Sequence, residues 1–340
     1  MIGSNVAGAL THEGRTVIGV DNLWRGTKRN LHALTEQPNI TFRHADIVAD
    51  ADWCRDLRED DTIIHAADIV AGIGYVFSNE WTVFQKNILI NTQIARIVNQ
   101  VQPAQLIYLG TACSYPQSLQ RSVETSVLNE ASKFPADPES GYGWSKLIGE
   151  IDFKLAVKDT RTRLTVLDLH NVYGRPCIYD DATAQVIPAL IFKALKSRDG
   201  RLSVWGDGTQ GRGFLHVTDV VAAVRSALSY TGLEQVLMIG PDRCTTIAEV
   251  AELIQAHPMV NVSEIVFDTS RPTGDRGRFA DAALARRELG WTPKVDFRQG
   301  LYETIDWIVQ DCLVQERVVR HWEEPVGELP AALPSENLLT

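Results

Sequence analysis

Tyr142 and Lys146 stand four residues apart in the segment GYGWSK, and their types suggest a proton-transfer site. If the segment is helical, this spacing puts both side chains on one face. An ammonium beside a phenol favours the phenolate and lowers the phenol's pKa, which makes tyrosine a usable base near neutral pH. Thr111, at the end of the strand-like run AQLIYLGTA, adds a hydroxyl group. Together the three residues predict a group that removes a proton from an alcohol while hydride leaves the same carbon.

A fold must hold these side chains together, and alternating strand-like and helix-like segments predict its class. The runs 61–67 and 104–112 are apolar, as in strands buried on both faces of a parallel sheet. Between them, 80–100 has the spacing of a long helix, and 162–174 is another strand ending in a loop. The pattern predicts a doubly wound α/β fold, in which ligands bind at the carboxyl ends of the strands. After Gly174, shorter helices and strands predict a lid over those strand ends.

Composition narrows the class of protein. The 340 residues carry a formal net charge of −10, which argues against broad binding to nucleic acid or to anionic membranes. The sequence has neither a long apolar run nor a basic N-terminus followed by an apolar core, so no membrane span or secretory signal is predicted. Five scattered cysteines without a CxxC pair favour a reduced, cytoplasmic protein with free thiols and no zinc site.

The N-terminal segment MIGSNVAGALTHEGRTVIGVDN predicts a helix followed by a short strand that ends on Asp21. Helix, strand and acid in this order form the second half of a dinucleotide-binding βαβ unit. In such a unit, a first strand and a glycine-rich turn precede the helix. We therefore expect Met1 to be an internal methionine taken as a start codon, with the first strand encoded upstream.

Six motifs follow one another along the chain: GTACSYP, YGWSK, LHNVYG, VIPAL, VWGDGTQGRGFLHVTDV and GDRGRFADAALARRELGWTP. In this order they resemble the NAD-dependent epimerase/dehydratase group of the extended short-chain dehydrogenase/reductase superfamily, over residues 1–308. A cysteine two residues after Thr111 and the loop AADIVAGIGYVFSN look most like the GDP-mannose 3,5-epimerase and GDP-L-fucose synthase families. The resemblance implies a Rossmann-like doubly wound parallel sheet, its first strand and part of the glycine-rich turn missing here, with a smaller α/β substrate-binding lid domain.

The resemblance also implies a division of the chain into domains. The NAD-binding Rossmann domain would span 1–174, with 212–232 returning to it. The substrate-binding domain would comprise 175–211 and 233–312, and 313–340 would form a peripheral C-terminal tail.

NAD is the cofactor that the resemblance implies. Gly3 in MIGSN matches the last glycine of the family's turn, and Asp21 follows at the end of the next strand. A carboxylate there accepts hydrogen bonds from the adenosine ribose and repels a 2′-phosphate, which favours NAD over NADP. Without the resemblance, Asp21 would be an ordinary turn or capping residue. The implied cofactor-binding residues are Gly3, Asp21, Asn22, Arg25, Asp46, Ile47, Ala66, Ala67, Tyr142 and Lys146.

Cys113 indicates the type of reaction. A free cysteine is commonly a small apolar filler, but in the resembled enzymes the thiol at this position exchanges protons beside a transient ketone. Oxidation at C4 of a hexose acidifies the protons at C3 and C5. The resemblance therefore implies Thr111, Cys113, Tyr142 and Lys146 as catalytic residues. Related dehydratases and decarboxylases carry an acid after the threonine, where this chain has Ala112.

Gln185 departs from the resembled families, which have a histidine or a lysine in this region as the second acid/base. A neutral amide forms hydrogen bonds but does not exchange protons usefully. Either another group supplies the second proton, or the chemistry follows a different route or involves one carbon only. The candidates nearby in sequence are Cys177, Tyr179, Asp181 and Lys193, and the residues alone do not choose among them.

Arginines are the implied contacts to the diphosphate of the substrate. Arg212 in GTQGRGF and Arg276 in GDRGRF match family arginines, and a planar guanidinium suits bidentate phosphate contact. The two are expected to converge on one anion, whereas Arg278 is interpreted as a solvated surface charge. The implied substrate-binding residues are Asn171, Gln185, Lys193, Arg212 and Arg276, and no metal site is predicted.

The combined prediction is an NAD-dependent nucleotide-sugar epimerase that takes a GDP-hexose. Family members commonly pair through two long helices, so the stretches 80–100 and 143–157 imply a homodimer. Three alternatives stay open: an NADP-dependent reductase of the fucose-synthase kind, a 4-epimerase that needs only Thr111 and Tyr142, and a non-catalytic nucleotide-sugar binder. Consumption of NADPH, activity that survives loss of Cys113, and ligand binding without turnover would identify them in turn.

Overall fold

A computed structural model describes residues 1–50, 52–122, 127–179, 183–233, 235–271 and 273–323 of the chain. Asp181, one candidate for the second acid/base, and residues 324–340 of the predicted tail lie outside the described residues. The strands are β1 (Val17–Asp21), β2 (Ile40–His44), β3 (Thr62–His65), β4 (Gln105–Thr111), β5 (Val127–Leu128), β6 (Arg163–Leu169), β7 (Asn171–Tyr173), β8 (Arg201–Trp205), β9 (Gly211–Arg212), β10 (Phe214–His216), β11 (Val236–Ile239), β12 (Thr245–Thr246), β13 (Glu264–Asp268) and β14 (Phe279–Ala280).

The helices alternate with these strands in the first two-thirds of the chain. The α-helices are α1 (Ile2–His12), α2 (His32–Thr35), α3 (Ile73–Ser78), α4 (Glu80–Val101), α5 (Gly141–Val157), α6 (Val186–Lys196), α7 (Val217–Leu228), α8 (Ile247–Gln255), α9 (Ala283–Leu289) and α10 (Phe297–Glu323). Short 3₁₀ helices lie at Lys28–Leu31, Asp52–Cys54, Ala112–Ser114, Gln117–Gln120 and Glu130–Lys133. Among the described helices, none combines the length and hydropathy that a membrane crossing requires.

The central sheet has four parallel strands in the order β11-β6-β4-β3. Every residue of β4 is buried, because helices cover both faces of the sheet. Leu106 and Tyr108 face the core shared with α4 and α5, whereas Ile107 and Leu109 face the core shared with α1 and α7. This alternation follows from the two-residue period of a strand. The predicted Rossmann-like, doubly wound α/β fold is thereby confirmed.

One predicted segment differs in detail from the structure, and the N-terminal helix and strand form as predicted. The run 162–174 is not one strand, because β6 ends at Leu169 and β7 pairs instead with β10. β1 and β2 form a parallel pair of their own beside α1, which packs against the sheet through Val6 and Leu10.

The predicted lid has a hydrophobic core of its own, formed by α6, α8, β8 and α10. Ile191, Leu202 and Val250 are fully buried in this core. The predicted boundaries are wrong at two points. Val236–Ile239, assigned to the substrate-binding domain, pairs with β6 in the central sheet, because Leu237, Met238 and Ile239 are fully buried in the core there. α10 is one continuous helix across the boundary at 312/313. The rest of the division stays a prediction.

Candidate active site

The start of α5 places Tyr142 and Lys146 at the carboxyl end of β4. Ser140 caps the helix by accepting a hydrogen bond from the Gly143 N–H at 3.4 Å. A side chain at Gly143 would collide with the carbonyl oxygen of Cys113, so the first turn packs directly on the chain that leaves β4. The predicted helix under GYGWSK is confirmed, and its two chemical side chains project from one face.

Thr111, Tyr142 and Cys113 lie together at this strand end. The Thr111 side chain acts on the Tyr142 phenol and opposes the rise in the pKa of Tyr142 that burial causes. The Thr111 Oγ also accepts a hydrogen bond from the Cys113 N–H at 3.2 Å, because Thr111 caps the 3₁₀ turn that follows β4. The hydroxyl and the phenol that the sequence pairs therefore interact, with the thiol next to them.

Lys146 is buried beside Tyr142, but its charge is already compensated. Its Nζ donates hydrogen bonds to the Asp68 carboxylate and, at 2.6 Å, to the Leu109 carbonyl oxygen. The pKa of Tyr142 is raised well above its usual range by burial, by Asp68 and by Cys113, and the interaction with Thr111 only partly offsets this. The predicted lowering of the phenol pKa is therefore wrong. Asp68, which the sequence interpretation missed, neutralises the lysine.

Arg278 forms the wall of the site next to the thiol. Its Nη2 donates a hydrogen bond to the Cys113 Sγ at 3.1 Å, and its Nη1 donates to the Asp275 Oδ2 at 2.7 Å and to the Gln120 Oε1 at 3.0 Å. Asn171, a predicted substrate contact, lies 3.5 Å from the same Nη2 through its Oδ1. Only 6% of Arg278 is exposed, so its interpretation as a surface charge is wrong. A guanidinium at this distance stabilises negative charge on the sulfur.

Arg212 and Arg276 do not converge as predicted. Arg212 is buried and donates to the carbonyl oxygens of Gly211 and Asp275, both at 2.7 Å, and burial lowers its pKa to about 10. The Arg276 side chain is exposed and pairs with Asp207 at 3.3 Å. The physical reason is that 276–278 is an irregular segment before β14, where the side chains of two neighbouring arginines can leave the backbone in different directions. Arg278, rather than Arg276, therefore joins Arg212 around Asp275.

Known proteins that are similar to this chain identify its family. The sequence profile described as the NAD dependent epimerase/dehydratase family matches residues 1–240. The chain belongs to the NAD-dependent epimerase/dehydratase family. Curated relatives include GDP-mannose 3,5-epimerase of Arabidopsis thaliana, 28% identical over 90% of this chain and 79% of the relative. A putative UDP-glucose 4-epimerase of Methanocaldococcus jannaschii is 27% identical over 90% of this chain and 95% of the relative.

Solved structures support the same fold. UDP-glucose 4-epimerase of Thermotoga maritima, solved with UDP-glucose, superposes with a TM-score of 0.81 at 24% identity, covering 92% of this chain and 96% of that one. UDP-glucuronic acid 4-epimerase of Bacillus cereus, solved with UDP-glucuronic acid and NAD, gives 0.78 at 23% identity over 91% and 96%. The family is NAD-dependent, in agreement with the predicted cofactor.

Gly3 suits the predicted cofactor role. It is the second residue of α1, and a Cβ there would lie 4.0 Å from the Ala66 Cβ, just after β3. Two small residues at a helix N-terminus leave room for a pyrophosphate on the backbone N–H groups. Ala67 follows Ala66 and is half-buried.

An exposed carboxylate, Asp21, ends β1, as the family's ribose contact requires, and its Oδ1 accepts the Leu23 N–H at 2.7 Å. Asn22 donates to the Asp46 Oδ2 at 2.9 Å, and this bond, with those from backbone N–H groups, lowers the pKa of Asp46. Ile47 follows and accepts a hydrogen bond from a tryptophan indole through its carbonyl. These residues fit an adenosine site at the ends of β1 and β2.

Arg25, a predicted cofactor contact, also connects two loops. Its guanidinium donates to the carbonyl oxygens of Val70 at 2.9 Å and Thr183 at 3.0 Å, so it joins the loop before α3 to the chain before α6. Gly72 of that loop also donates its N–H to the Thr183 carbonyl at 3.1 Å. Contact between Arg25 and the cofactor stays a prediction.

The remaining predicted residues surround the lid. Gln185 is the N-cap of α6, close to Gly72. The Lys193 Nζ lies 5.3 Å from the centre of the Trp205 ring, and its pKa is lowered by burial and by a neighbouring arginine. Cys177 has its pKa raised to about 12 by burial, and Tyr179 packs in the core of the lid, so neither suits proton exchange at this site.

Glu139 is the residue that sequence reasoning missed most clearly. It is half-buried next to Asp275, and burial followed by the Asp275 charge raises its pKa to about 7, against the opposing charges of Arg278 and Arg212. Only its place three residues before Tyr142 hinted at a role, because Asp275 is remote in sequence.

Proposed function

We propose that this chain is an NAD-dependent nucleotide-sugar epimerase that acts through a transient 4-keto hexose, with Cys113 exchanging a proton at C3 or C5. The observation that carries the proposal is the contact of 3.1 Å between Arg278 Nη2 and Cys113 Sγ, at the strand end where Thr111 and Tyr142 interact. A guanidinium next to a thiol stabilises the thiolate. A cysteine that only filled space in the core would not need such a neighbour.

Thr111 and Tyr142 would hold the C4 oxygen of the hexose between their hydroxyl groups. When bound, NAD accepts hydride from C4 and returns it. As hydride leaves C4, Tyr142 as the phenolate would take the proton of the C4 hydroxyl, and it would give this proton back to the C4 oxygen when hydride returns. The raised pKa of Tyr142 favours the proton-bearing state of this cycle. Lys146, paired with Asp68, would fix the first turn of α5 and would hold the ribose of the cofactor. Cys113 would take up the proton that the ketone acidifies, with Arg278 stabilising the thiolate.

A GDP-hexose is the substrate class that we propose. The identity of 28% to GDP-mannose 3,5-epimerase over most of both chains supports it. Arg212 would contact the diphosphate, since its Nη2 makes only a long hydrogen bond of 3.4 Å with a carbonyl oxygen. Asn171, Gln185 and Lys193 would contact the sugar nucleotide from β7 and α6.

A 4-epimerase acting on a UDP-hexose is the second candidate. A putative UDP-glucose 4-epimerase aligns with this chain over 95% of its own length at 27% identity, which favours this class. Such an enzyme would need Thr111 and Tyr142 but not the thiol. The two candidates therefore differ in what they require of Cys113.

Proton exchange with solvent tests the proposal. The protein is incubated with NAD and GDP-mannose in D₂O, and the sugar protons are followed by NMR. Loss of the C3 or C5 signal without net formation of NADH, abolished in Cys113→Ala, is the expected result. Retention of both signals with inversion at C4, in the wild type and in Cys113→Ala alike, would replace the proposal with the 4-epimerase.

A homodimer is also proposed, because α4 and α5 pack side by side and leave an apolar face exposed. Its exposed members are Trp81, Leu89, Trp144, Ile148, Ile151 and Leu155. Monomeric proteins rarely expose a large apolar patch. Two copies that pair through α4 and α5 would bury this one. None of the five cysteines, all of which lie within the described ranges, forms a disulfide, which further suits a reducing compartment such as the cytoplasm.

A further inference from the structure

Two carboxyl groups, Glu139 and Asp275, meet on the side of Arg278 opposite the thiol. Glu139 lies just before α5, and Asp275 lies in the segment before β14. The Arg278 Nη1 donates to the Asp275 Oδ2 at 2.7 Å, while its Nη2 donates to the Cys113 Sγ at 3.1 Å. One guanidinium therefore connects the carboxyl pair to the sulfur.

The pair is arranged to hold one proton. Asp275 is only 5% exposed, and within the ranges that the structure describes its Oδ1 has no hydrogen-bond donor. The Glu139 carboxyl lies beside this segment, since its Oε1 is 3.7 Å from where a Cβ of Gly274, the residue before Asp275, would stand. Burial and then the Asp275 charge raise the pKa of Glu139, as expected of two neighbouring carboxyl groups. A buried carboxylate oxygen without a donor is costly, and two adjacent carboxyl groups resist ionising together. A proton on Glu139 that is donated to Asp275 resolves both conditions.

Charges from several elements face this pair. Burial and then the Asp275 charge raise the pKa of Glu139, and the charges of Arg278 and Arg212 lower it. The resulting pKa is about 7. Glu80 on α4 accepts a backbone N–H at the start of α5 at 2.8 Å, which adds negative charge on that side. A carboxyl group whose pKa is near neutral can donate and accept a proton at neutral pH. The neutral amide of Gln185 cannot.

We propose that Glu139, paired with Asp275, is the second proton-exchanging residue of the site and takes the role that Gln185 cannot fill. This inference rests on the proposed epimerase function. The Cys113 thiolate removes the proton from the carbon beside the ketone, and the electron pair of the C–H bond moves into an enolate. The Glu139 carboxylic acid then delivers its proton to the opposite face of that carbon. The step ends with a thiol and a carboxylate, and a proton returned from the thiol to the carboxylate through solvent restores the start.

A first experiment tests the coupling without any turnover. Alkylation of Cys113 by iodoacetamide is measured between pH 5.5 and 9 by mass analysis of its peptide, which separates Cys113 from the other four cysteines, none of them in a disulfide within the described ranges. Ionisation of Glu139 adds a negative charge near the sulfur, so the wild-type rate should show a break near pH 7. Glu139→Gln should lose this break, and Asp137→Asn, an exposed carboxylate of the same loop, should keep it. A break that persists in Glu139→Gln would overturn the pairing.

A second experiment separates exchange from inversion. In D₂O with NAD and GDP-mannose, Glu139→Gln should still exchange the proton that Cys113 removes and returns on one face. Formation of the inverted sugar should fall about 10²- to 10⁴-fold, the usual contribution of a general acid. Inversion at the wild-type rate would refute the role of Glu139. If the wild type exchanges no sugar proton, the epimerase function fails with this role, and the alkylation profile alone then decides whether the carboxyl pair exists.

Discussion

Replacing His170 by glutamine is expected to make the fold more resistant to acid. His170 follows β6 and is 3% exposed, and among the described residues neither ring nitrogen has a hydrogen-bond partner. Burial, followed by the charge of Arg278, lowers its pKa to about 3. The unfolded chain binds a proton near pH 6.5, whereas the folded chain does not. The stability contributed by the neutral ring is therefore complete above pH 6.5 and is lost as the pH falls toward 3.

The size of the effect follows from the unfolded state. At pH 5 the ring stays neutral in the folded protein, because its folded-state pKa lies well below 5. In the unfolded chain, where the pKa is about 6.5, the ring binds a proton. This protonation favours unfolding by about 2 kcal/mol at pH 5 relative to pH 7. Glutamine cannot titrate, so its packing cost is the same at both pH values. The wild type should thus lose about 2 kcal/mol more than His170→Gln between pH 7 and pH 5.

Urea denaturation at pH 7, 6 and 5 measures this difference, with His12→Gln as a control on an exposed histidine. Other acid-sensitive groups are shared by all three proteins and cancel in the comparison. Equal losses of unfolding free energy in the wild type and in His170→Gln would refute the reasoning, because a buried neutral imidazole must titrate on unfolding.

Three further substitutions test other parts of the structure. Lys133→Met removes the cation buried against Asp168 and should cost about 3–5 kcal/mol in urea denaturation; adding Asp168→Asn should recover part of this, and no recovery would contradict the ion pair. Tyr142→Phe should lower kcat about 10²- to 10⁴-fold with unchanged NAD affinity, measured by turnover and by fluorescence titration, and an unchanged kcat would exclude the proton-transfer role. Gly72→Ala drives a Cβ into the Ala184 carbonyl oxygen and should raise KM for the nucleotide sugar roughly tenfold, whereas a wild-type KM would show that the loop does not border the site.

The sequence by itself determined the fold class and the pair formed by Thr111 and Tyr142. Apolar runs with the strand period, separated by helical spacing, specify a parallel sheet with covered faces. The threonine ends a strand and the tyrosine begins a helix, and both positions follow from local patterns. The family motifs, which occur in a fixed order along the chain, also predicted the cofactor and the reaction class without the tertiary structure.

Only the tertiary structure decided which charges surround the thiol and the phenol. Arg278 reaches Cys113 across 165 residues of chain, and Asp68 reaches Lys146 across 78, distances over which no periodicity carries information. Asp275 meets Glu139 because β14 pairs with β5 and brings the segment before it to the start of α5. Burial then sets the pKa values, since desolvation depends on what packs around a group and not on its neighbours in sequence.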